Sequence, residues 1–127
     1  MPVRSRPCPC LSGLPYDECC GPLHAGTRVA PTATSLMRSR YSAFAVGDAA
    51  HLLATWAPET RPASLELDTS VRWYRLDIVR ATHGGLADSE GTVEFVAHFR
   101  ADGVTAQQHE ISRFAKRSGR WLYVDGR

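Results

Sequence analysis

The stretch CPCLSGLPYDECC, residues 8–20, constrains this chain more than any other. It holds all of its cysteines: Cys8, Cys10, Cys19 and Cys20. Three chemistries use thiols this densely. Disulfides fit poorly, because adjacent Cys19 and Cys20 fall below the Cα separation a bridge needs. Bridges between the two pairs would staple only about a dozen residues. A redox dithiol reads C-x-x-C at the start of a helix, whereas here the spacings are C-x-C and C-C. A metal ion fits better. Two close pairs joined by a turn can supply four sulfurs in a tetrahedron, and Ser12-Gly13 offers that turn. Gly21-Pro22 is expected to end the segment. Four thiol ligands close the site, and closed zinc sites are structural.

The compartment argument points the same way. The basic start, Met1 to Arg6, runs into Pro7-Cys8-Pro9-Cys10 with no apolar stretch for a secretory signal. No segment approaches the roughly 20 apolar residues that span a bilayer. A cytoplasmic protein with reduced thiols and no membrane association is expected.

The stretch resembles the SEC-C motif, whose pattern C-x-C-x-S-G-x-x-Y-x-x-C-C is met by Cys8, Cys10, Ser12, Gly13, Tyr16, Cys19 and Cys20. The resemblance implies zinc on Cys8, Cys10, Cys19 and Cys20. His24 is a spare ligand only if Cys20 is unused. Tyr16 is expected to pack over the knob.

Beyond a connector at Leu23 to Pro31 the period turns helical. Leu36, Met37, Arg40, Tyr41 and Phe44 recur at three- and four-residue spacing, with Thr32 or Thr34 as cap and Gly47 as stop. Asp48 caps a second helix through Trp56, and Pro58 stops it. Residues 58–70 read as a polar loop. The period is then two. Strands are expected at 71–81, 91–100, 106–117 and 120–126, with turns at His83-Gly84-Gly85, Asp102-Gly103 and Ser118-Gly119. Val93, Phe95, Ala97 and Phe99 share one face. The class is α+β: a zinc knob, then a curved antiparallel sheet wrapped over helices. A composition with 43% hydrophobic and 22% charged residues supports one buried core.

The strings LMRSRYSAF (36–44), ATWAPETRP (54–62), GTVEFVAHFR (91–100), HEISRF (109–114) and GRWLYVDG (119–126) resemble the YchJ-like family. That resemblance covers nearly the whole chain. It implies a knob over residues 1–26 and a nuclear-transport-factor-two-like, cystatin-like cone over 27–127. Many relatives carry a second SEC-C segment at the C-terminus. One is present here, so a role needing two is not expected.

The cone can hold a pocket, and Arg40, Tyr41, Trp56, Arg61 and Glu110 are its candidate lining. An inward Arg40 could hold a small anionic ligand; the plainer role is a snorkelling or carboxylate-paired arginine. Glu110 could act as a base if burial raised its pKa, although an ion pair is the plainer role. His98 shares a face with Glu94 and is expected in a solvated cross-strand pair. Ser112 has no evident histidine–carboxylate arrangement, so no catalytic residue is assigned and enzyme activity is left open. The favoured function is a non-catalytic module whose knob docks a protein partner through exposed Leu11, Leu14 and Pro15, with the cone folded independently of the cysteines. The alternative is a small-molecule-binding protein or small enzyme using the pocket. A net charge of +2 and the lack of a basic run argue against nucleic acid. A homodimer through the outer sheet face is expected only by analogy with other cones.

Overall fold

The computed structural model describes residues 6–127. Met1 to Ser5, part of the basic start, lie outside the described residues. A 3₁₀ turn at Tyr16–Glu18 leads into α1 (Cys20–His24), followed by α2 (Ala33–Val46) and α3 (Ala49–Ala54). Four strands follow: β1 (Arg72–His83), β2 (Glu90–Ala101), β3 (Val104–Arg117) and β4 (Arg120–Gly126). They form one antiparallel meander in the order β1-β2-β3-β4. Among the described residues no helix is long and apolar enough to cross a membrane.

Local chemistry explains most boundaries. The Thr32 hydroxyl accepts a hydrogen bond from the Ser35 amide at 3.0 Å and caps α2. Gly47 ends that helix in the left-handed conformation, φ 81°. The Asp48 carboxylate then caps α3 by accepting from the His51 amide at 3.0 Å. Asp102-Gly103 and Ser118-Gly119 both have positive φ at their two residues, as tight primed turns require.

One expectation fails at the start of the chain. Gly21-Pro22 does not end the cysteine segment; both residues lie in the first turn of α1. Proline is tolerated there because a first-turn N–H has no intrahelical partner.

The sheet curves because its ladders slip. Register shifts lie between Trp73 and Arg75, between Ile78 and Arg80, and between Arg113 and Phe114. Such bulges bend a strand and increase its twist. Val93, Phe95 and Ala97 are buried on the concave face. Helix α2 lies across that face and contacts β1, β2 and β4. On its other flank α2 meets the cysteine segment, so Ser39, Ser42 and Ala43 are completely buried. Small side chains at these positions let the segment approach closely. Phe44, expected in the core, is 37% exposed at the rim and packs against Trp73 with ring centroids 5.8 Å apart.

Cys8, Cys10 and Cys20 belong to the same buried cluster as Leu36, Met37, Tyr41, Phe95 and Trp121. The knob therefore shares its apolar interior with the cone.

Candidate metal centre and cone cavity

The loop from Cys8 to Cys19 closes on itself before any metal is considered. The Cys8 amide donates to Leu14 O at 3.0 Å, and Leu11 N donates to Cys8 O at 3.0 Å. Gly13, at φ 91°, takes a backbone conformation that suits glycine. The Ser12 hydroxyl accepts from the Leu14 amide at 3.2 Å and lies 3.1 Å from Cys19 Sγ. The serine of the motif thus ties the turn to one of the sulfurs.

This folding gathers the four thiols. The Sγ atoms of Cys8, Cys10, Cys19 and Cys20 all lie within 4.8 Å of one another. No disulfide joins them. An ion bonded to four sulfurs at about 2.3 Å holds them about 3.8 Å apart. Cys10 and Cys19 are separated by 3.6 Å, and Cys19 and Cys20 by 3.9 Å. The donor set therefore fits a tetrahedral, thiophilic cation. The neighbouring Cys20 thiol stabilises the Cys10 thiolate, pulling that group down to about 4; Cys20 itself is pushed up by the same contact and by burial.

Outside the sulfurs, the segment is locked to the helices. Cys8 Sγ lies 3.5 Å from Ser42 Oγ, and Arg38 donates to Cys10 O at 2.9 Å. His24 is not a spare ligand. Its Nε2 donates to Ser39 O at 2.8 Å and its Nδ1 accepts from Tyr16 at 2.6 Å. The Ser39 hydroxyl donates to Leu36 O at 2.7 Å and lies 3.0 Å from His51 Nε2. Burial, then the neighbouring His24, pulls His51 down to about 4, so it is neutral at pH 7. Tyr16 does pack against the knob: a Cβ on Gly21 would fall 3.1 Å from its ring carbon Cε2.

A cavity of about 230 Å³ separates α2 from the sheet. Arg40, Tyr41, Trp56 and Glu110 all line it. Arg61 does not. It lies in a shallow surface depression with Leu53, Pro58 and Pro62. Arg40 is only 4% exposed. Its Nη1 donates to Leu52 O at 2.8 Å and to Thr55 Oγ1 at 2.7 Å. The guanidinium lies over the Trp56 and Tyr123 rings, 5.0 and 4.5 Å from their centroids. It is thus neither snorkelling nor in an ion pair among the described residues. Burial lowers it to about 10, leaving it charged at neutral pH.

Glu110 accepts a short hydrogen bond from Ser112, and Tyr123 donates to it at 3.5 Å. On the outer face His98 bonds Asp77 at 2.9 Å, and His109 bonds Glu94 at 2.6 Å. These are cross-strand pairs, but His98 pairs with β1 rather than with Glu94. Trp73, Phe95 and Tyr123 also line the cavity; the aromatic character of Trp73 and Tyr123 suits a core or pocket wall, and Phe95 lies on the apolar face that the alternation in β2 marks.

Comparison with known proteins agrees with this geometry. Residues 32–126 match the family model described as YchJ, middle NTF2-like domain, and residues 4–22 match the SEC-C motif. A UPF0225 protein of Corynebacterium glutamicum is 54% identical over 121 residues, covering 94% of each chain.

The chain belongs to the YchJ-like family.

A second YchJ-like relative, a UPF0225 protein of Streptomyces coelicolor, is 49% identical and covers 98% of this chain and 97% of its own. Two solved structures share the architecture. The SEC-C motif containing protein RPA3114 of Rhodopseudomonas palustris has a TM-score of 0.82 at 39% identity, covering 94% of this chain and 96% of its own. A SEC-C motif containing protein of Psychrobacter arcticus has a TM-score of 0.78 at 28% identity, covering 94% of this chain and 81% of its own. The SEC-C motif and the close cysteines together mark this member of the YchJ-like family as a candidate metal binder.

Proposed function

We propose that this protein is a non-catalytic, zinc-binding interaction module of the cytoplasm. The observation that carries the reading is the four-sulfur cluster, with every Sγ within 4.8 Å of the others. Cysteine at every position favours zinc, and leaves no open coordination site for substrate or water. The ion would then supply folding energy rather than Lewis-acid chemistry. Free thiols suit a reducing compartment.

The tip of the cysteine loop is the candidate contact. Leu11 and Leu14 are 55% and 48% exposed there, on a loop whose backbone is held by its own hydrogen bonds. Exposed leucines beside a fixed turn offer an apolar patch to a protein partner.

Protein purified with reductant and without added metal should carry one zinc per chain by mass spectrometry. Its thiols should stay unreactive until a chelator is added. Metal-free protein with four freely reactive thiols removes the zinc reading. The double variant Leu11→Asp/Leu14→Asp should keep its zinc and lose partner capture; unchanged capture removes the docking role.

A further inference from the structure

The cavity between α2 and the sheet has a composition that neither core packing nor the metal accounts for. Its only buried cation is Arg40, gripped from behind by Leu52 O and Thr55 Oγ1 through a single nitrogen. Among the described residues no carboxylate lies within ion-pair range of it. Buried charges are ordinarily paired, because an unpaired one forfeits its hydration without compensation.

A second observation converges on the same space. Among the described residues, the buried side-chain polar atoms without a hydrogen-bond partner are Tyr41 Oη and Trp56 Nε1. Both side chains line this cavity. Native proteins rarely leave such donors unsatisfied, so two around one cavity beside an unpaired guanidinium point to an acceptor-bearing occupant.

The remaining lining narrows the chemistry. Trp73, Phe95 and Met37 make an apolar wall suited to a ring or branched chain. Glu110 also borders the cavity, so its charge opposes a second negative charge on the ligand. With Arg40 as the sole cation of the lining and Glu110 at its border, a monoanion fits better than a phosphate, which brings up to two negative charges. At about 230 Å³ the space lies below the roughly 300–1,000 Å³ of drug-sized sites, so the ligand is small.

We propose that this cavity binds a small organic monocarboxylate, with its carboxylate on Arg40 and the unpartnered donors of Tyr41 and Trp56, and its apolar or aromatic body against Trp73 and Phe95. None of its lining residues is a cysteine, so ligand binding and metal content are read separately, although Met37, Tyr41 and Phe95 pack in the same cluster as Cys8, Cys10 and Cys20.

The test uses the intact, metal-loaded chain and a panel of phenylacetate, benzoate and isovalerate. Trp56 and Trp73 line the site, so intrinsic fluorescence reports occupancy, with calorimetry as the second readout. At least one carboxylate should bind saturably, and 2-phenylethanol, which keeps the body without the charge, should bind about tenfold more weakly than phenylacetate. Arg40→Lys should weaken the best ligand about tenfold, because lysine cannot reproduce the planar fork. Tyr41→Phe should weaken it severalfold while leaving the melting temperature of the free protein unchanged or raised, because it deletes an unsatisfied buried hydroxyl. If Arg40→Lys does not fold, the Tyr41→Phe result and the phenylacetate–phenylethanol pair still decide the matter. No saturable binding of any carboxylate below about 10 mM, equal binding of 2-phenylethanol, or preferential binding of inorganic phosphate overturns the proposal.

Discussion

Cys8 shows how a candidate metal ligand also serves the core. Its side chain is 2% exposed and touches Ser42 on α2, while Arg38 reaches the backbone at Cys10. A serine at position 8 removes a sulfur ligand and places a hydroxyl in an apolar cluster. Cys8→Ser is therefore expected to lose the metal and to destabilise the cone as well, by on the order of 3 kcal/mol. Metal analysis paired with urea unfolding, followed by tryptophan fluorescence, checks both halves. Metal loss with an unchanged unfolding midpoint is the outcome expected instead if the cone folds independently of the cysteines. A second residue-scale dependence lies at the base of the first hairpin. A Cβ on Gly91 would fall 2.5 Å from Gly84 Cα, and one on Gly84 would fall 2.7 Å from Ala33 Cβ. Ala33 N also donates to Gly84 O at 2.9 Å, so the hairpin base sits directly on the start of α2. Backbone cannot rotate away as a side chain can. Gly91→Ala should cost about 2–4 kcal/mol, read as a lower denaturation midpoint at an unchanged slope. The ligand-type residues were legible individually, since thiols at C-x-C and C-C spacing have few uses. Arg38 and Ser42 as their supports were not, because nothing local in α2 says which of its faces meets a loop some thirty positions earlier.

At the scale of elements, α2 is the helix on which the two parts of the chain meet. Its sheet-facing residues were readable from the three-and-four spacing. Its second buried face carries Ser39 and Ser42, small polar residues that the apolar spacing does not mark as buried. Burial of Ser39 is satisfied locally and across the α2–α3 pair, since it donates to Leu36 O and meets His51, whereas Ser42 meets Cys8 of the cysteine segment. His51 makes this pairing sensitive to acid. Its folded value is pulled from 6.5 to about 4, first by burial and then by His24 and Arg40, against an opposing pull from Asp48. Between those values the unfolded chain takes up a proton that the folded chain does not. Stability from this group is thus complete above pH about 6.5 and drains as pH falls towards 4, on the order of 3 kcal/mol in all. Urea melts at pH 7 and pH 4.5 should show a larger acid loss for the wild type than for His51→Gln. Metal release in acid affects both proteins, so the difference isolates the histidine. An equal loss in the two would mean that His51 does not supply the effect.

At the scale of the whole molecule, cysteines and sheet residues occupy one buried cluster, and that predicts one unfolding event. Chelation should lower the melting temperature of the cone as well as freeing the thiols. Metal release, thiol reactivity and tryptophan fluorescence should change together along a denaturant series. Two separated transitions, with the cone unaffected by the chelator, would contradict the shared interior. The sequence by itself determined the elements whose causes are local: the capped helices, the primed turns at Asp102-Gly103 and Ser118-Gly119, the alternation in β2, and four thiols at metal-binding spacing. It also placed Arg40 on an inward face. Only the tertiary structure decided that Arg40 has no carboxylate within ion-pair range among the described residues, that Arg61 does not line the cavity, that His24 is engaged by Tyr16 and Ser39, and that the knob closes against α2. Each of these depends on which distant segments meet. Such meetings join residues 12 positions apart in Arg40 with Leu52 and 34 apart in Cys8 with Ser42, and no short-range pattern in the chain encodes them.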